Sequence, residues 1–184
     1  MRGLMLLASG FEEVEALATR DVLLRGGLEV LTASISNIKE VEASHHLTVL
    51  ADTLIKDIKE NDYDFIILPG GGRGTQNLRN SLEVRKLVLD FAKAHKLIAA
   101  ICAAPTVLGD AGLLKNKKYT CYAGCNLDIL DGTYTAKEVE VDDNIITGRS
   151  MLYSVLFGLT ILEKLTSIEN RRKIEKQIEG LENK

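Results

Sequence analysis

The sequence predicts an α/β fold in which helices cover both faces of a doubly wound, mostly parallel sheet. Three short apolar runs, at residues 3–8, 65–68 and 97–101, have the length and composition of strands that are buried on both faces. The apolar run at residues 28–33 completes a strand–helix–strand unit of about thirty residues with the first of them. Because strands and helices alternate along the chain, we expect parallel strands whose carboxyl ends meet at one edge.

The segments between these strands predict the helices and turns. The helix after the first strand has Val14, Leu17 and Val22 on its apolar face, and residues 166–169 form a capping-box pattern that is typical of a helix start. We expect a flavodoxin-like order of strands and one domain over residues 1–184, with the last helix as a C-terminal extension. The other predicted elements are a helix at about 12–25, a hairpin arm at 45–50, a short polar helix or turn at 52–59, a glycine-rich loop at 69–74, a helix at about 81–95, a helix at 104 to about 111, a strand at 118–122, a hairpin of strands at 134–141 and 144–147, a helix at 150–165 and a last helix at about 167–182.

Length, charge and cysteine content exclude several classes of protein. The chain has 184 residues and a net charge of −3 without a basic cluster, so its charge does not favour a nucleic-acid partner. No apolar run approaches the ~20 residues that a membrane-spanning helix needs, and the N-terminal run is too short for a signal peptide. The three cysteines, an odd number, argue against a framework of disulfide bonds. We expect a cytoplasmic protein without a membrane partner.

Cys102 lies where a predicted strand ends and a predicted helix begins. Residues 97–101 are wholly apolar, and the small residues Ala100 and Ala104 lie two positions before and after the cysteine. A sharp strand-to-helix turn, a nucleophile elbow, requires such small neighbours and presents its side chain at the carboxyl edge of the sheet. The alternative is a buried cysteine that acts as a small hydrophobic residue. The helix start behind the sulfur favours a thiolate, so we expect a lowered pKa for Cys102.

Two further segments are expected beside Cys102, because sites in doubly wound sheets form outside the carboxyl ends of the strands. Glu15 lies about one turn inside the first helix, and a partly buried carboxyl there would be protonated more readily and could move protons as a general acid or base. The alternative for Glu15 is a surface carboxylate that compensates the helix dipole. The glycines of residues 69–74 allow a backbone N–H to approach a developing oxyanion. The alternatives for this segment are a simple tight turn and a phosphate loop, although neither phosphate-binding spacing is present.

The remaining histidines and cysteines are weaker candidates. Cys121 and Cys125 lie four positions apart without a second pair or a nearby histidine, so we expect neither a zinc site nor any other metal or cofactor. Cys121 is expected either in the core or as a second thiol that resolves oxidised Cys102. The three histidines are expected away from the cysteine: His95 at the amino end of its strand, and His45 and His46 on the surface of the hairpin.

Four short motifs occur in order along the chain and resemble one family. They are Glu-Glu-Val-Glu at 12–15, Leu-Pro-Gly-Gly at 68–71, Gln-Asn-Leu at 76–78 and Ala-Ala-Ile-Cys-Ala-Ala-Pro at 99–105. Together they resemble the DJ-1/ThiJ/PfpI superfamily, and the resemblance extends from residue 3 to about residue 165. The chain is more similar to the DJ-1/ThiJ branch, because Ala103 follows the cysteine where the PfpI proteases have a histidine.

The resemblance implies a flavodoxin-like homodimer with a reactive, easily oxidised Cys102 and a protonated Glu15 on its sulfur. It also implies that the N–H groups of Gly71 and Ala103 bind an anion and that Tyr122 lies near the thiol. Members of this branch are associated with glyoxalase-type conversion of small 2-oxoaldehydes, with deglycation of glycated proteins, and with oxidative-stress response or chaperone activity. The implied partner is therefore a small aldehyde or a glycated substrate. The alternatives are a non-enzymatic redox sensor or chaperone and, less favoured without a Cys-His pair, a cysteine peptidase or amidase.

The sequence departs from the family's pattern in three places. The family usually has a proline after the tyrosine or histidine near the thiol, where this chain has Tyr122-Ala123. Residues 148–153 are Gly-Arg-Ser-Met-Leu-Tyr instead of the usual Ser-Arg-Gly-Pro-Gly-Thr. Because this stretch packs near the pocket in relatives, the pocket wall is expected to be reshaped and more apolar. His45 or His46 replaces an arginine that some relatives have in the hairpin, which weakens the expectation of an anionic substrate.

Overall fold

The structure is a computed structural model that describes residues 1–181, and a seven-stranded sheet forms its centre. The order of strands across the sheet is β10 (Val139–Asp142), β11 (Ile145–Gly148), β7 (Leu97–Ile101), β6 (Phe65–Leu68), β1 (Arg2–Leu7), β2 (Glu29–Ser34) and β5 (Thr53–Leu54). All neighbouring strands pair in parallel except β10 and β11, which form an antiparallel hairpin at one edge. The predicted flavodoxin-like, mostly parallel sheet is confirmed.

Helices cover both faces of this sheet. One face packs against α1 (Glu13–Arg25), α5 (Ser154–Leu165) and α6 (Ile168–Ile178), and the other packs against α2 (Gly72–Asn80), α3 (Leu82–Lys93) and α4 (Pro105–Asp110). Side chains alternate along each strand, since successive residues point to opposite faces. In β1, Leu4 and Leu6 belong to the core under α2–α4, whereas Met5 and Leu7 belong to the core under α1 and α5. The fully apolar strands predicted from composition are therefore buried on both sides.

Short elements complete the fold outside the main sheet. They are the antiparallel hairpin of β3 (Glu40–Glu42) and β4 (Thr48–Leu50), the parallel pair of β8 (Lys118–Tyr119) and β9 (Thr133–Tyr134), and the 3-10 turns Ile55–Asp57, Glu60–Asp62, Cys125–Asp128 and Met151–Tyr153. None of the helices within residues 1–181 combines the length and the apolar character that crossing a membrane requires.

Helix α2 corrects the prediction that residues 69–74 form only a loop. The helix begins at Gly72 and runs to Asn80, through a segment rich in glycine and polar residues that has low helix propensity. Tertiary contacts stabilise it, because Leu78 is buried in the core and the Asn77 side chain donates a hydrogen bond to the Ser9 carbonyl at 2.8 Å.

Other predicted boundaries also change. Thr53–Leu54 extends the edge of the main sheet, and the short helix or turn expected at residues 52–59 is reduced to the 3-10 turn Ile55–Asp57 that follows it. The expected strand at residues 134–141 is interrupted at Ala136, whose φ of 55° breaks an extended backbone. Ser167 rather than the preceding threonine caps α6, since its hydroxyl accepts the Asn170 N–H at 3.2 Å. That helix ends at residue 178 rather than at residue 182, which lies outside the described residues.

Candidate active site

Cys102 occupies a strained turn between β7 and α4. Its φ is 64°, a left-handed conformation that costs a residue with a side chain on the order of 1–3 kcal/mol. Hydrogen bonds hold its backbone on both sides. Its N–H donates to the Gly148 carbonyl at 2.9 Å, and its own carbonyl accepts the Tyr122 N–H at 2.7 Å. The surrounding chain therefore maintains a conformation that an isolated turn would not keep.

Gly70 brings the first helix and the elbow together. Its N–H donates to Glu15 Oε2 at 2.7 Å. A Cβ atom at this position would lie 2.7 Å from the same oxygen and 2.8 Å from Cys102 Cβ. The carboxyl, the loop and the cysteine thus meet at a point where no side chain larger than hydrogen fits.

The rest of the glycine loop packs directly on the turn between β1 and α1. Gly71 has a φ of 90°, and a Cβ atom there would lie 2.4 Å from the Gly10 carbonyl oxygen. A Cβ atom at Gly74 would lie 2.7 Å from the Phe11 nitrogen. The Glu12 N–H donates to the carbonyl of Gly70 at 3.0 Å. The glycines are therefore required by backbone packing, which fixes Glu15 relative to the loop.

Glu15 is a buried carboxyl with only 1% of its surface exposed. Burial raises the pKa of Glu15 to about 7, although hydrogen bonds with the Cys102 thiol and the Gly70 N–H act in the opposite direction. Its second oxygen, Oε1, is buried without a nitrogen or oxygen partner among residues 1–181. Near neutral pH the carboxyl has access to both protonation states, which suits a group that moves protons.

The expected lowering of the Cys102 pKa is wrong. Burial raises the pKa of the Cys102 thiol, and Glu15 raises it further through its negative charge and its hydrogen bond. The N–H groups of Gly71 and Ala103, which hydrogen bond to the sulfur, act in the opposite direction. Helix α4 has only six residues and begins at Pro105, so its dipole is weak at the sulfur. Since the two groups interact directly, transfer of a proton to Glu15 removes the charge that opposes a thiolate.

The cysteine lies in a cleft of about 470 Å³. All five site residues predicted from the sequence line it: Glu15, Gly71, Cys102, Ala103 and Tyr122. Tyr122 is 53% exposed, so its side chain forms part of the open rim while its N–H holds the elbow.

Apart from Tyr122, four lining residues lie outside the elbow, the start of α1 and the glycine loop, and we call the surface that they form the opposite wall. Met151 and Leu152 contribute apolar surface from the segment that departs from the family's pattern, and Ser150 and Cys125 complete this wall. Cys121, in contrast, is fully buried in the core and does not line the cleft. The predicted strand at residues 118–122 includes Cys121 but not Cys125, and the turn between the two cysteines places Cys125 in the lining of the cleft.

One group of side chains among residues 1–181 has the spacing of metal ligands, namely Glu12, Glu13 and His45, whose ligand atoms lie within 4.8 Å of one another. A contact of 2.9 Å between His45 Nδ1 and Glu13 Oε1 accounts for the closeness of two of these atoms, and His45 is exposed. His46 and His95 are also outside the cleft. Hence no histidine of the described chain is placed to act as a base for Cys102.

The fold and the site define a class: a flavodoxin-like α/β protein with a cysteine at a strained strand-to-helix turn, held by a buried carboxyl and two backbone amides. A sequence model of the DJ-1/PfpI family matches residues 1–164. The chain belongs to the DJ-1/PfpI family.

Curated relatives come from plants and animals. Protein DJ-1 homolog B from Arabidopsis thaliana is 40% identical over 166 residues, which are 89% of this chain but 38% of the plant protein. Parkinson disease protein 7 homolog from Danio rerio is 36% identical over 172 residues, 91% of each chain. The glutathione-independent glyoxalase DJR-1.2 from Caenorhabditis elegans is 33% identical over 169 residues, which are 91% of this chain and 89% of the worm protein. This chain therefore spans much less than half of the plant relative and nearly all of the two animal relatives.

Solved structures of family members superpose closely. Drosophila melanogaster DJ-1beta has a TM-score of 0.92 and 33% identity, with 96% of each chain covered. Oxidised Toxoplasma gondii DJ-1 has a TM-score of 0.92 and 34% identity, with 96% of this chain and 97% of that chain covered. The strand order and helix placement described above are thus those of the family.

Proposed function

We propose that this chain converts small 2-oxoaldehydes into 2-hydroxy acids by a glyoxalase-type reaction in which Cys102 is the nucleophile. The observation that carries the proposal is the buried Glu15 carboxyl, with a pKa raised to about 7, in contact with the thiol at the base of a cleft. A base that titrates near neutral pH can both accept the thiol proton and return it. The similarity to a glutathione-independent glyoxalase supports the substrate class.

The first step is addition of the thiol to the aldehyde. Ionised Glu15 accepts the thiol proton as the Cys102 sulfur forms a bond to the aldehyde carbon, and the carbonyl π electrons move to oxygen. The N–H groups of Gly71 and Ala103, which already point at the sulfur, stabilise the oxyanion. Return of the proton from Glu15 gives a neutral hemithioacetal.

The second step moves a proton between two carbons. Glu15 removes the hydrogen of the hemithioacetal carbon and delivers a proton to the neighbouring carbon, while the proton of the hemithioacetal hydroxyl moves to the 2-oxo oxygen. The 2-oxo group thereby becomes a hydroxyl and the hemithioacetal becomes a thioester. Water then breaks the C–S bond, releasing the 2-hydroxy acid and the free thiol. The balance is one aldehyde and one water consumed for one hydroxy acid, without an external oxidant, reductant or cofactor.

The cleft favours small aldehydes with an apolar substituent. The N–H groups and Glu15 occupy one wall, whereas Met151 and Leu152 occupy the other and offer no charge. Glycated thiols or amines, which contain the same two-carbon unit, are the second substrate class that this arrangement accepts. Because glycated thiols and amines are larger than free aldehydes, only their glycated group would enter the cleft.

The proposal is tested by the loss of methylglyoxal with wild type, Cys102→Ser and Glu15→Gln. Cys102→Ser should reduce the rate to background, and Glu15→Gln should reduce it by at least about 10²-fold, the usual contribution of a general acid or base. Cys121→Ala is the matched control, because Cys121 is buried away from the cleft. Equal rates in wild type, Cys102→Ser and Glu15→Gln would refute the proposal.

A redox sensor or chaperone is the second candidate. The amides that hydrogen bond to the Cys102 sulfur would also hold the oxygens of a sulfenic or sulfinic acid. Oxidation of Cys102 by mild peroxide, in a protein that consumes no aldehyde, would favour this role. A cysteine peptidase is disfavoured, since no histidine of residues 1–181 lines the cleft.

The assembly proposed for the chain is a cytoplasmic homodimer of single-domain subunits. Large apolar side chains are exposed on the outer face of α1, at Val14 and Leu17, and on the neighbouring β3–β4 hairpin, at Leu47 and Leu50. Backbone hydrogen bonds join the hairpin to the start of α1, so these side chains lie on adjoining elements. Light scattering of the purified chain should give twice the mass of one subunit, and a monomer would contradict this assembly.

A further inference from the structure

Cys125 is a second thiol in the cleft, and the reaction above does not use it. Cys125 lines the same cleft as Cys102, and both cysteines are free. Cys125 is half-buried, whereas Cys121 is fully buried among core residues. Of the two downstream cysteines, Cys125 is therefore the one that shares solvent-filled space with Cys102.

Two backbone hydrogen bonds define the path between the two thiols. The Tyr122 N–H donates to the Cys102 carbonyl at 2.7 Å, and the Cys125 N–H donates to the Tyr122 carbonyl at 3.0 Å. The second bond closes a β-turn, in which the first and fourth Cα atoms lie within about 7 Å of each other. A disulfide requires a Cα separation of about 4.4–6.8 Å. A disulfide between Cys102 and Cys125 requires these two residues to reach that separation. This turn joins Cys125 to the elbow, so a change in its conformation moves Cys125 relative to Cys102.

The turn has the freedom for such a movement. Residues 122–124 are exposed. Gly124 has a φ of 93°, and a Cβ atom there would meet nothing within 4 Å, so its surroundings are open. Within the turn, the Gly124 N–H donates a hydrogen bond to Asn126 Oδ1 at 3.2 Å. The 3-10 turn is attached to α2 further along the chain, where Asp128 Oδ2 accepts a hydrogen bond from Arg79 Nη1 at 2.9 Å. Rotation about Gly124 thus changes the position of Cys125 while the end of the 3-10 turn stays attached to α2.

We propose that Cys125 is the resolving thiol of Cys102, which makes the cleft a peroxide-sensitive dithiol site. In the first step the Cys102 sulfur attacks one oxygen of hydrogen peroxide, the O–O bond breaks, and hydroxide leaves to become water; Cys102 is oxidised to a sulfenic acid. In the second step the Cys125 sulfur attacks the Cys102 sulfur, the S–O bond breaks, and water leaves with the proton of Cys125. One peroxide and two thiols yield one disulfide and two waters.

The disulfide has two consequences for the site. It protects Cys102 from further oxidation to the sulfinic acid, which thiols do not reverse. It also crosses the cleft in front of the elbow, so substrate cannot enter until a thiol reductant restores both cysteines. Burial and Asp128 raise the pKa of Cys125, while Arg79 lowers it, so closure should accelerate as pH rises.

Peroxide titration with thiol mapping tests the proposal, and it uses no aldehyde, so its result is independent of the proposed turnover. The full chain is treated with a small molar excess of hydrogen peroxide, enough for two oxidation steps at one cysteine, denatured in an alkylating agent, and measured by intact mass and peptide mapping. Wild type should lose two hydrogens and yield one cross-linked peptide pair that joins Cys102 to Cys125. Dithiothreitol should restore both thiols.

Single substitutions distinguish the resolving thiol from its neighbours. Cys125→Ser should abolish the cross-link and instead add two oxygens at Cys102 that dithiothreitol does not remove, whereas Cys121→Ala should retain the cross-link. If Cys125→Ser does not fold, the peptide map of the oxidised wild-type protein still tests the proposal, because it shows whether Cys102 is joined to Cys125. A wild-type protein that gains two oxygens at Cys102 while Cys125 remains alkylatable would overturn the proposal, as would a cross-link between Cys102 and Cys121.

Discussion

The two walls of the cleft are built on different principles. On the elbow wall, backbone groups and glycines position the reactive atoms. Gly70 leaves no room for a side chain between Glu15 and Cys102, and Gly71 leaves none between the loop and the Gly10 carbonyl. On the opposite wall, exposed side chains of 3-10 turns form the surface, and Leu152 is 77% exposed. The elbow wall has little tolerance for added atoms, whereas the opposite wall has a great deal.

Because of this difference, the elbow wall determines the reaction and the opposite wall determines which substrates are preferred. A reacting sulfur needs its proton acceptor and hydrogen-bond donors held within a few tenths of an ångström, which tightly packed backbone provides. Substrate preference needs only shape and polarity at the mouth of the cleft, which exposed side chains can change without a cost in stability. Residues 150–152, in the segment where this chain departs from its family, line the wall that tolerates change. Gly148 of the same segment does not, because it ends β11 and its carbonyl accepts the Cys102 N–H.

Gly70→Ala has the largest expected effect, because it adds a methyl group to the elbow wall. The added carbon would lie 2.7 Å from Glu15 Oε2 and 2.8 Å from Cys102 Cβ, so it must displace the carboxyl or the loop. We expect a loss of about 1–3 kcal/mol in the free energy of unfolding. Aldehyde turnover should fall by about 10²-fold or more, as for Glu15→Gln. Urea unfolding and steady-state kinetics measure the two effects.

Gly72→Ala is the matched control for that substitution. A Cβ atom at Gly72, the first residue of α2, would meet nothing within 4 Å. Its stability should rise by about 0.4–1 kcal/mol, the usual gain from replacing an unstrained glycine. A Gly70→Ala variant that is as stable as Gly72→Ala and keeps wild-type turnover would show that the elbow wall tolerates an added methyl group.

The pH dependence of stability is the second expected effect and reports on the buried carboxyl. The pKa of Glu15 rises from 4.5 to about 7 on folding. Between these values the folded state binds more protons than the unfolded state, so the free energy of unfolding falls as pH rises, by about 3 kcal/mol in total. This contribution is complete below the lower pKa and lost above the higher one.

The comparison of wild type with Glu15→Gln isolates this contribution, because all other titrating groups are shared. Urea unfolding at about pH 5 and about pH 8 should show that the variant gains about 3 kcal/mol relative to wild type over this interval. Parallel pH profiles for the two proteins would show that Glu15 titrates at its ordinary pKa and is not desolvated.

Leu152→Ala has the smallest expected effect and tests the opposite wall. Because the side chain is 77% exposed, stability should change by less than about 0.5 kcal/mol. The KM for a bulky substrate such as phenylglyoxal should rise about fourfold, which corresponds to the ~0.8 kcal/mol of one buried CH₂ group. The KM for methylglyoxal should stay near that of wild type, and equal increases for both aldehydes would argue against contact with the substituent.

Features with a local cause were predictable from the sequence. The strands β1, β6 and β7 are continuous apolar runs, and such runs are buried wherever they occur in this class of fold. The elbow was predictable because small residues on both sides of Cys102 permit a turn that larger ones would prevent. Helix α2 was not predictable, since its glycines oppose a helix in isolation and only contacts with the β1–α1 turn and the core stabilise it.

The two downstream cysteines, Cys121 and Cys125, also show where prediction from the sequence ends. The sequence places Cys121 in a predicted strand and Cys125 beyond it, but it does not show that Cys125 lines the same cleft as Cys102. A β-turn at Gly124 and the attachment of Asp128 to Arg79 separate their environments. Glycine at the third position of a β-turn is a local signal, whereas the contact between Asp128 and Arg79 joins residues that are 49 positions apart and leaves no local pattern in the sequence.

The sequence by itself determined the sheet, the position of Cys102 at a strand end, and the set of segments that meet there, because each depends on local composition and on the connectivity of a parallel sheet. Only the tertiary structure decided the electrostatics of the site. The pKa of Glu15 is raised, and that of Cys102 is raised rather than lowered, because burial removes water from both groups. Desolvation depends on every atom packed around a charge, and those atoms come from three separate segments of the chain.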